Sequence, residues 1–473
     1  MPLPGCSIVR FVGKFRAAFT GRSFAVAVPL VVAIVLVAGA QSLAARIRVL
    51  KWLGVKGHFS RFYRFFTSDR WFVEVLTRLL VLHALRQLQG QPVYLVVDDT
   101  LIEHGGPQIW GIGMHYDAVQ SGYGRRGRRR IVRIACGHNW VIVSVLVPTP
   151  WNPRGWRALP VAAKLYRNAK QAGDEYRKRT ELAVELIELI LRAIPPDVPV
   201  YLVGDSTYTC RTVARALRHR VHLVGPLPRD AALSELPTPS SKPSRGRPRK
   251  YGERLPSPAE LFEASTTAWR KTTVCMYGRR VKLRVAERVA QWRSVFGAQP
   301  VRIELARAED DSYRPMALVC ADPSLSAEQV LEVYSRRWTA EVMHREVKQQ
   351  LGAGAIQNGW YRRVRRASKR LPKPPGIRSH PTRGRRAVER TLPFLLFIYS
   401  LIHLWYFQAN RYAADVALHR KAAPWYRHKT TPSFADMLSA ARAELLADFL
   451  SDPSAPGFQE KLHHLIRAIA APG

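Results

Sequence analysis

Alternation of short apolar runs with helical stretches constrains the fold of this chain most. Val93–Val97 and Tyr201–Val203 are short β-branched or aromatic runs, and Ile131–Val147 is long enough for two strands. Runs of this kind are typical of strands buried in a sheet. Glu175–Ala193 and Arg211–His219 carry apolar residues at helical spacing, and a further apolar run follows. The order strand, strands, helix, strand, helix, strand predicts an α/β fold with a mixed layer.

The charge of the chain indicates its class of partner. Its 473 residues include 74 Lys and Arg against 35 Asp and Glu, a formal net charge of +39. Hydrophobic residues make up 47% and aromatic residues 10%, which is enough to bury a core. The basic charge therefore belongs to a folded protein, and we expect a polyanionic partner.

The cysteines exclude two classes of small scaffold. They are widely scattered, odd in number and contain no C-x-x-C pair: Cys6, Cys136, Cys210, Cys275 and Cys320. Neither a disulfide framework nor a zinc ribbon fits this spacing. We expect the cysteines to be small, buried hydrophobic side chains of a protein in a reducing compartment.

The N-terminal 90 residues contain an uncharged run that allows two interpretations. Phe24–Ala40 is preceded by four basic residues and ends in Ala-Gly-Ala, which resembles a signal peptide. The run is short for a membrane span, and Pro29 interrupts it. A buried helix of an N-terminal helical domain and an exported or anchored protein both remain open.

Ser60–Leu88 is the second informative stretch of this region. Arginines and aromatic residues interleave there at roughly helical spacing, which predicts one or two helices with a basic face. That face is either in contact with DNA or simply solvated above an aromatic core.

Residues 227–313 predict a β-rich insertion into the α/β layer. A linker rich in proline, serine and arginine spans Pro237–Pro258, and Thr272–Leu305 then alternates in strand fashion. The α/β core resumes with Pro315–Cys320 and a long helix from Ser326 to about Leu351. Leu392–Phe407 is apolar, but it is short and aromatic for a membrane span, and we expect a core helix.

Two carboxylates follow predicted core strands. Asp98 comes after the first short run, and Asp205 follows the YLVG segment. The carboxyl ends of buried strands collect functional groups in α/β folds. An aspartate at a strand end also commonly caps a turn or a helix, so catalysis and capping both remain open.

The helix from Ser326 carries a third carboxylate among cations. At about 100° per residue, four side chains fall within a sector of about 60° on one side: Tyr334, Arg337, Glu341 and Lys348. Arg345 lies just beyond that sector. Pairing of Glu341 with the arginines on either side, as on an ordinary surface helix, is the alternative.

The pattern Y-x-x-R-x-x-x-E-x-x-x-x-x-x-K resembles the Y-R-E-K signature of bacterial insertion-sequence transposases with an Asp-Asp-Glu triad. Trp338 after Arg337, the segment Asp98-Asp99-Thr100, the β-rich insertion and the WYRHKTTPSFADML stretch at Trp425 add to the resemblance. It covers roughly residues 91–438. The family has a ribonuclease H-like catalytic core, which we therefore expect here.

The resemblance implies a metal-dependent site. It assigns Asp98, Asp205 and Glu341 as the catalytic and metal-binding triad, which would hold two Mg²⁺ or Mn²⁺ ions. Three acids suit two hard cations that activate the attacking oxygen and stabilise the leaving one in phosphoryl transfer. Because the first motif of the family favours Asp98, we expect Asp99 to serve local hydrogen bonding.

Further residues are expected at DNA. The resemblance places Tyr334, Arg337 and Lys348 beside DNA near the active site, and we add Arg345 as a DNA-binding candidate. Arg245-Gly246-Arg247-Pro248 has the form of an AT-hook core, whose arginines can enter the minor groove; a simple basic loop is the alternative. Four histidines lack metal-ligand spacing and are expected to be structural: His104, His115, His138 and His344.

The expected function is that of a DNA transposase. Such an enzyme would cut the ends of its own mobile element and join them to target DNA, with double-stranded DNA as partner, as a dimer on DNA and without a membrane. We expect a bacterial cytoplasmic protein that associates with the nucleoid when bound to DNA. A catalytically inactive, transposase-derived DNA-binding protein is the alternative.

Five regions are expected. Residues 1–90 form an N-terminal helical region that we expect to bind DNA, and residues 91–226 form the first part of the core. Residues 227–313 form the insertion with its basic linker, residues 314–361 the second part of the core with the Glu341 helix, and residues 362–473 a basic connection with a C-terminal helical region.

Overall fold

The computed structural model describes residues 7–37, 39, 41–104, 109–117, 120–123, 130–237, 249–310, 313–355 and 381–449. The N-terminal part is helical. Its helices are α1 (Ser7–Val12), a 3₁₀ helix (Gly13–Ala18), α2 (Gly21–Leu36), α3 (Leu43–Trp52), α4 (Ser60–Thr67) and α5 (Val73–Leu88).

The first part of the core follows as strands and helices in alternation. Its elements are β1 (Val93–Glu103), β2 (Gly113–Tyr116), β3 (Gly122–Tyr123), β4 (Arg130–Ile131), β5 (Ile134–Thr149), β6 (Asn152–Tyr166), α6 (Ala169–Ala172), a 3₁₀ helix (Gly173–Glu175), α7 (Arg179–Leu191), β7 (Val200–Val203), α8 (Arg211–Leu217) and β8 (His222–Pro226).

The remaining elements are β-rich at first and then helical. They are β9 (Leu233–Ser234), α9 (Pro258–Glu263), β10 (Arg270–Met276), β11 (Arg279–Trp292), α10 (Arg293–Phe296), β12 (Pro300–Ala308), β13 (Met316–Cys320), α11 (Ala327–Ser335), α12 (Trp338–Gln350), α13 (Pro381–Ala409), α14 (Tyr412–Ala422), a 3₁₀ helix (Pro424–Tyr426) and α15 (Phe434–Phe449).

One large mixed sheet organises the described residues. Strand β1 pairs antiparallel with β5 and β5 with β6, whereas β1 pairs parallel with β7 and β7 with β8. The order β6-β5-β1-β7-β8, with α7 before β7 and α8 before β8, is compatible with a ribonuclease H-like core. The α/β prediction is therefore confirmed at the level of fold class.

The strands of residues 227–313 extend this sheet. Strand β13 pairs with β8 on one side and with β12 on the other, and β11 and β10 continue outward. The sheet therefore runs without interruption from β10 to β2. The predicted β-rich segment lies within the same hydrogen-bonded layer as the core strands.

Both apolar runs form helices that are buried inside the protein. In α2 every residue from Ala27 to Val35 is buried, which fits the buried-helix interpretation of Phe24–Ala40. Thr382–Ala409 is long and apolar enough to cross a membrane, and 89% of its most apolar stretch is buried. It packs against β6, α4 and α5, as expected for a core helix.

Candidate active site

Asp98 and Asp205 lie side by side through the parallel pairing of β1 and β7. Val96 pairs with Val203, and each aspartate follows two residues later. Adjacent strands are about 4.8 Å apart, so the two carboxylates occupy neighbouring positions at this end of the parallel pair. The prediction that the first strand ends before Asp98 is wrong, because β1 continues beside β5 as far as Glu103.

Asp98 is a largely buried carboxylate, and the positive charge near it does not compensate for its loss of solvation. Its side chain is 14% exposed, and Oδ1 accepts a 2.9 Å hydrogen bond from the Asp99 amide. Burial raises the pKa of Asp98 to about 7; Arg337 opposes this rise, and the charges of Asp99 and Asp205 add to it. A further cation beside Asp98 would therefore stabilise its ionised form.

Asp205 holds the turn that follows β7. Its Oδ1 accepts from the amides of Thr207 at 2.8 Å and Tyr208 at 3.3 Å, as in an Asx turn. Its Oδ2 accepts from the Thr207 hydroxyl at 3.3 Å. The capping role is thus present, and it uses mainly one of the two carboxylate oxygens.

Asp99 is occupied by two protein donors. Arg179 Nη1 lies 2.8 Å from Oδ2, and the Tyr208 hydroxyl donates to Oδ1 at 3.2 Å. Both partners come from elements distant in sequence, so Asp99 links β1 to α7 and to the turn after β7.

The single long helix predicted from Ser326 is in fact two helices, α11 and α12. The amides of Arg337, Thr339 and Ala340 each bond to the carbonyl three residues earlier, so the junction is wound as tightly as a 3₁₀ helix. The hydroxyls of Ser335 and Thr339 also bond to carbonyls three residues earlier. These local bonds compete with regular helix hydrogen bonding, which is why the uniform 100° spacing assumed from sequence does not hold here.

Arg337 bridges two of the three predicted acids. Its Nη2 lies 2.6 Å from Glu341 Oε1, and its Nη1 lies 3.7 Å from Asp98 Oδ2. Tyr334 is hydrogen-bonded to Arg337, and burial together with the charges of Asp205 and Glu341 raises the pKa of the tyrosine. The structure therefore brings Tyr334, Arg337 and Glu341 close to Asp98 and Asp205, at the end of the parallel β1–β7 pairing.

Lys348 belongs to the same neighbourhood, and Arg345 does not. Burial lowers the pKa of Lys348, whereas the charges of Asp117, Glu103 and Asp98 act in the opposite direction. Arg345 is exposed, and it acts on the charge of the buried Glu346. The other two predicted DNA contacts, Arg245 and Arg247, lie outside the described residues.

His344 is a site residue that the sequence reasoning treated as structural. Its Nδ1 lies 3.9 Å from Asp98 Oδ2. Burial is the main reason that the pKa of His344 falls to about 3, so the ring is neutral. Its position three residues after Glu341 places both on one face of α12, and that spacing was the available signal. Of the other histidines, His104 and His138 contact each other with ring centroids 4.6 Å apart.

The donor chemistry fits a divalent cation, although the acids are not gathered around one point. Among the described residues, no three His, Cys, Asp or Glu side chains are placed to hold a metal ion. Glu341 is bound to Arg337 instead, and the guanidinium lies between Glu341 and Asp98. Oxygen ligands such as these carboxylates suit Mg²⁺ or Mn²⁺. Joint coordination would require Arg337 to release Glu341.

A cleft lies elsewhere in the described residues. Its volume is about 820 Å³, and α5, β6, α7 and α13 line it. The charges on its walls pair with one another, as in Arg167 with Glu175 and Lys164 with Glu185. The candidate site therefore lies beside the central strands β1 and β7 and not in this cleft.

Comparison with known families agrees with this geometry and defines a transposase-like nuclease of the DDE type. The profile of the DDE superfamily endonuclease family matches residues 14–295, which is 282 of 473 residues. The chain belongs to that family. The match includes Asp98 and Asp205 and ends before Glu341. No curated protein matches the chain. Enzymes of this superfamily generally use divalent metals and act on DNA.

Proposed function

We propose that this protein is a DNA transposase that cuts the ends of a mobile element and transfers the cut strands to target DNA. The observation that carries the proposal is the buried Asp98 carboxylate, whose pKa is about 7, beside Asp205 and within reach of an arginine that also binds Glu341. A site with excess negative charge beside the central strands of a sheet, in a chain of net charge +39, suits phosphoryl transfer on DNA.

Asp98, Asp205 and Glu341 would hold Mg²⁺, which polarises the phosphate and activates the attacking hydroxyl when bound. Asp205 contributes through Oδ2, because Oδ1 holds the turn. Asp98 would bind the metal ion once its carboxyl group is deprotonated. His344, neutral and 3.9 Å from Asp98 Oδ2, keeps water away from that carboxylate and limits its movement.

Arg337 has two tasks in this proposal. In the structure described it pairs with Glu341 and lies 3.7 Å from Asp98. When DNA arrives, its guanidinium turns to a phosphate oxygen and so frees Glu341, while Tyr334 and Lys348 contact the same backbone. DNA binding and assembly of the acids would then be coupled. A dimer on DNA and a nucleoid-associated location follow from the need to pair two element ends.

The test compares two aspartates in matched local structures. Asp205→Asn retains the turn acceptor and loses the charge. Asp322→Asn is the control, because Asp322 also follows a strand by two residues and accepts from the Ser324 amide at 2.9 Å, but bonds to Tyr201 away from the acids. With element-end DNA and Mg²⁺, we expect wild type and Asp322→Asn to cleave and Asp205→Asn to bind without cutting. Cleavage that survives Asp205→Asn contradicts the triad assignment.

A catalytically inactive DNA-binding protein is the second candidate. The hold of Arg337 on Glu341 favours it, since the acids are not assembled as described. Equal DNA binding in EDTA and Mg²⁺, with no metal-dependent nicking by wild type, would establish this alternative.

A further inference from the structure

One face of the β10–β11 hairpin carries an unusual density of cations. Along β11, exposed and buried residues alternate, so the hydrophobic side chains point to one face and the basic ones to the other. The exposed cations are Arg280, Lys282 and Arg284, and the buried residues between them are Val281, Leu283 and Val285.

The cations continue across the neighbouring strands. Lys271 pairs with Arg284 and Arg284 with Arg307 in the strand register, so three like charges stand in one row. We call Lys271, Arg280, Lys282, Arg284 and Arg307 the basic strand face. Like charges directly opposite in a sheet are destabilising, so a bound anion would stabilise such a row.

The protein itself supplies few of those anions. Lys271 pairs with Glu309 at 3.4 Å, and Arg307 lies over the Trp269 ring at 4.2 Å. Within the described ranges, no carboxylate lies within ion-pair distance of Arg280, Lys282 or Arg284. Three exposed cations on one strand therefore remain available to an external polyanion.

The hairpin turn, which directly precedes the strand that carries Arg280, lies next to the candidate site. Tyr277 and Gly278 form the two-residue turn with φ of 52° and 75°, as a tight hairpin requires. The Tyr277 ring lies 6.5 Å from that of Trp338, centroid to centroid, and Trp338 adjoins Arg337. Burial raises the pKa of Tyr277, and the Arg337 guanidinium opposes that rise.

We propose that the basic strand face binds the phosphate backbone of the DNA duplex that leads away from the cleavage point. This inference rests on the proposed function and names a surface for its substrate. Residues on one face of a strand recur every ~6.7 Å, so Arg280, Lys282 and Arg284 span ~13 Å. A DNA strand advances ~3.4 Å per phosphate, so the three cations cover ~4 base pairs. Such contacts position the duplex without reading its sequence.

The test uses two variants with equal loss of charge. In one, Arg280, Lys282 and Arg284 become Gln. In the matched control, three exposed arginines in or directly after α8 become Gln instead: Arg211, Arg215 and Arg218. Binding to a 30-base-pair duplex of arbitrary sequence is measured by fluorescence anisotropy in EDTA between 50 and 300 mM salt.

Each lost phosphate contact lowers the slope of log K against log salt by ~0.9. We expect the basic-face variant to lose ~2.7 of the wild-type slope and the α8 control to lose less than ~0.5. The thermal midpoint of the basic-face variant should stay at or above that of wild type, since like-charge contacts are removed. If the triple variant misfolds, the single variant Arg284→Gln serves the same test, and its slope of log K against log salt should fall by ~0.9.

The outcomes are separable. Equal slopes for the basic-face and α8 variants overturn this inference and leave the proposed function intact. Failure of wild type to bind duplex DNA overturns both. A selective loss of slope in a protein that shows no Mg²⁺-dependent cleavage supports the basic strand face and contradicts the proposed nuclease.

Discussion

Asp98→Asn should stabilise the protein at alkaline pH. The pKa of Asp98 rises from 3.8 to about 7 in the fold, a change of about three. Each pKa unit corresponds to about 1.4 kcal/mol, so ionised Asp98 costs the folded state about 4 kcal/mol. Asparagine keeps the shape of the side chain and carries no charge. The variant should therefore exceed wild type in stability wherever Asp98 is ionised.

The sign of the pH dependence follows from the raised pKa. Below pH 3.8 the carboxyl is protonated in both states, and the two proteins should unfold alike. Between about pH 4 and 7 only the unfolded chain releases the proton, so wild type loses about 1.4 kcal/mol per pH unit relative to the variant. Above pH 7 the difference should stay constant at about 4 kcal/mol.

Thermal unfolding in EDTA measures this difference. At about 2.1 cal/mol/K per residue, a chain of 473 residues has an unfolding entropy of about 1 kcal/mol/K, so the midpoint should rise by about 4 °C at pH 8. Mg²⁺ should raise the midpoint of wild type and not that of Asp98→Asn. Asp322→Asn is the control, and its effect on stability should have the opposite sign. Hydrogen bonds from Ser324 and Tyr201 outweigh the effect of burial and lower the pKa of Asp322, so ionised Asp322 stabilises the fold. A wild-type-to-variant difference that stays constant from pH 4 to 8 refutes the reasoning.

Three further substitutions test the packing of the sheet and of the helix junction before α12. Gly225→Ala would place a Cβ 1.9 Å from the Thr209 hydroxyl oxygen, and we expect a loss of about 1–3 kcal/mol in thermal unfolding; an unchanged midpoint contradicts this. Arg302→Met leaves the fully buried Glu304 without its partner. Since the pKa of Glu304 is about 7, the loss should be about 3–5 kcal/mol at pH 8 and smaller at pH 5; equal losses contradict it. Arg336→Leu removes a guanidinium that lies over the rings of Tyr94 and Trp156, and should cost about 1–2 kcal/mol and slow DNA cleavage; an unaltered cleavage rate contradicts the second part.

Local patterns predicted the strands that lead to the aspartates, because Val93–Val97 and Tyr201–Val203 are apolar and, except for the half-buried Tyr94, buried on both faces. Strand β6 was missed. Its sequence contains Pro153, Gly155 and Pro160, which ordinarily argue against a strand. The register shift beside Ser144, the partner of Pro160, shows how the proline is accommodated, since a bulge removes the need for its amide.

The candidate site was predictable only in part. Contacts between residues four apart, such as Arg337 with Glu341, follow from helical spacing. The approach of Arg337 to Asp98 joins residues that are far apart in sequence, and no local pattern reveals it. The same applies to His344, whose nearest carboxylate comes from β1 rather than from its own helix.

The continuity of the sheet limits how this chain can be shortened. Strand β13 lies between β8 and β12, so excision of residues 227–313 would leave its backbone amides and carbonyls unpaired along one side. Open strand edges of that kind recruit other chains and aggregate. The strands on either side of the β8–β13 pairing can therefore not be removed without exposing a strand edge that is prone to aggregation. A minimal catalytic fragment would need a replacement strand in place of β12.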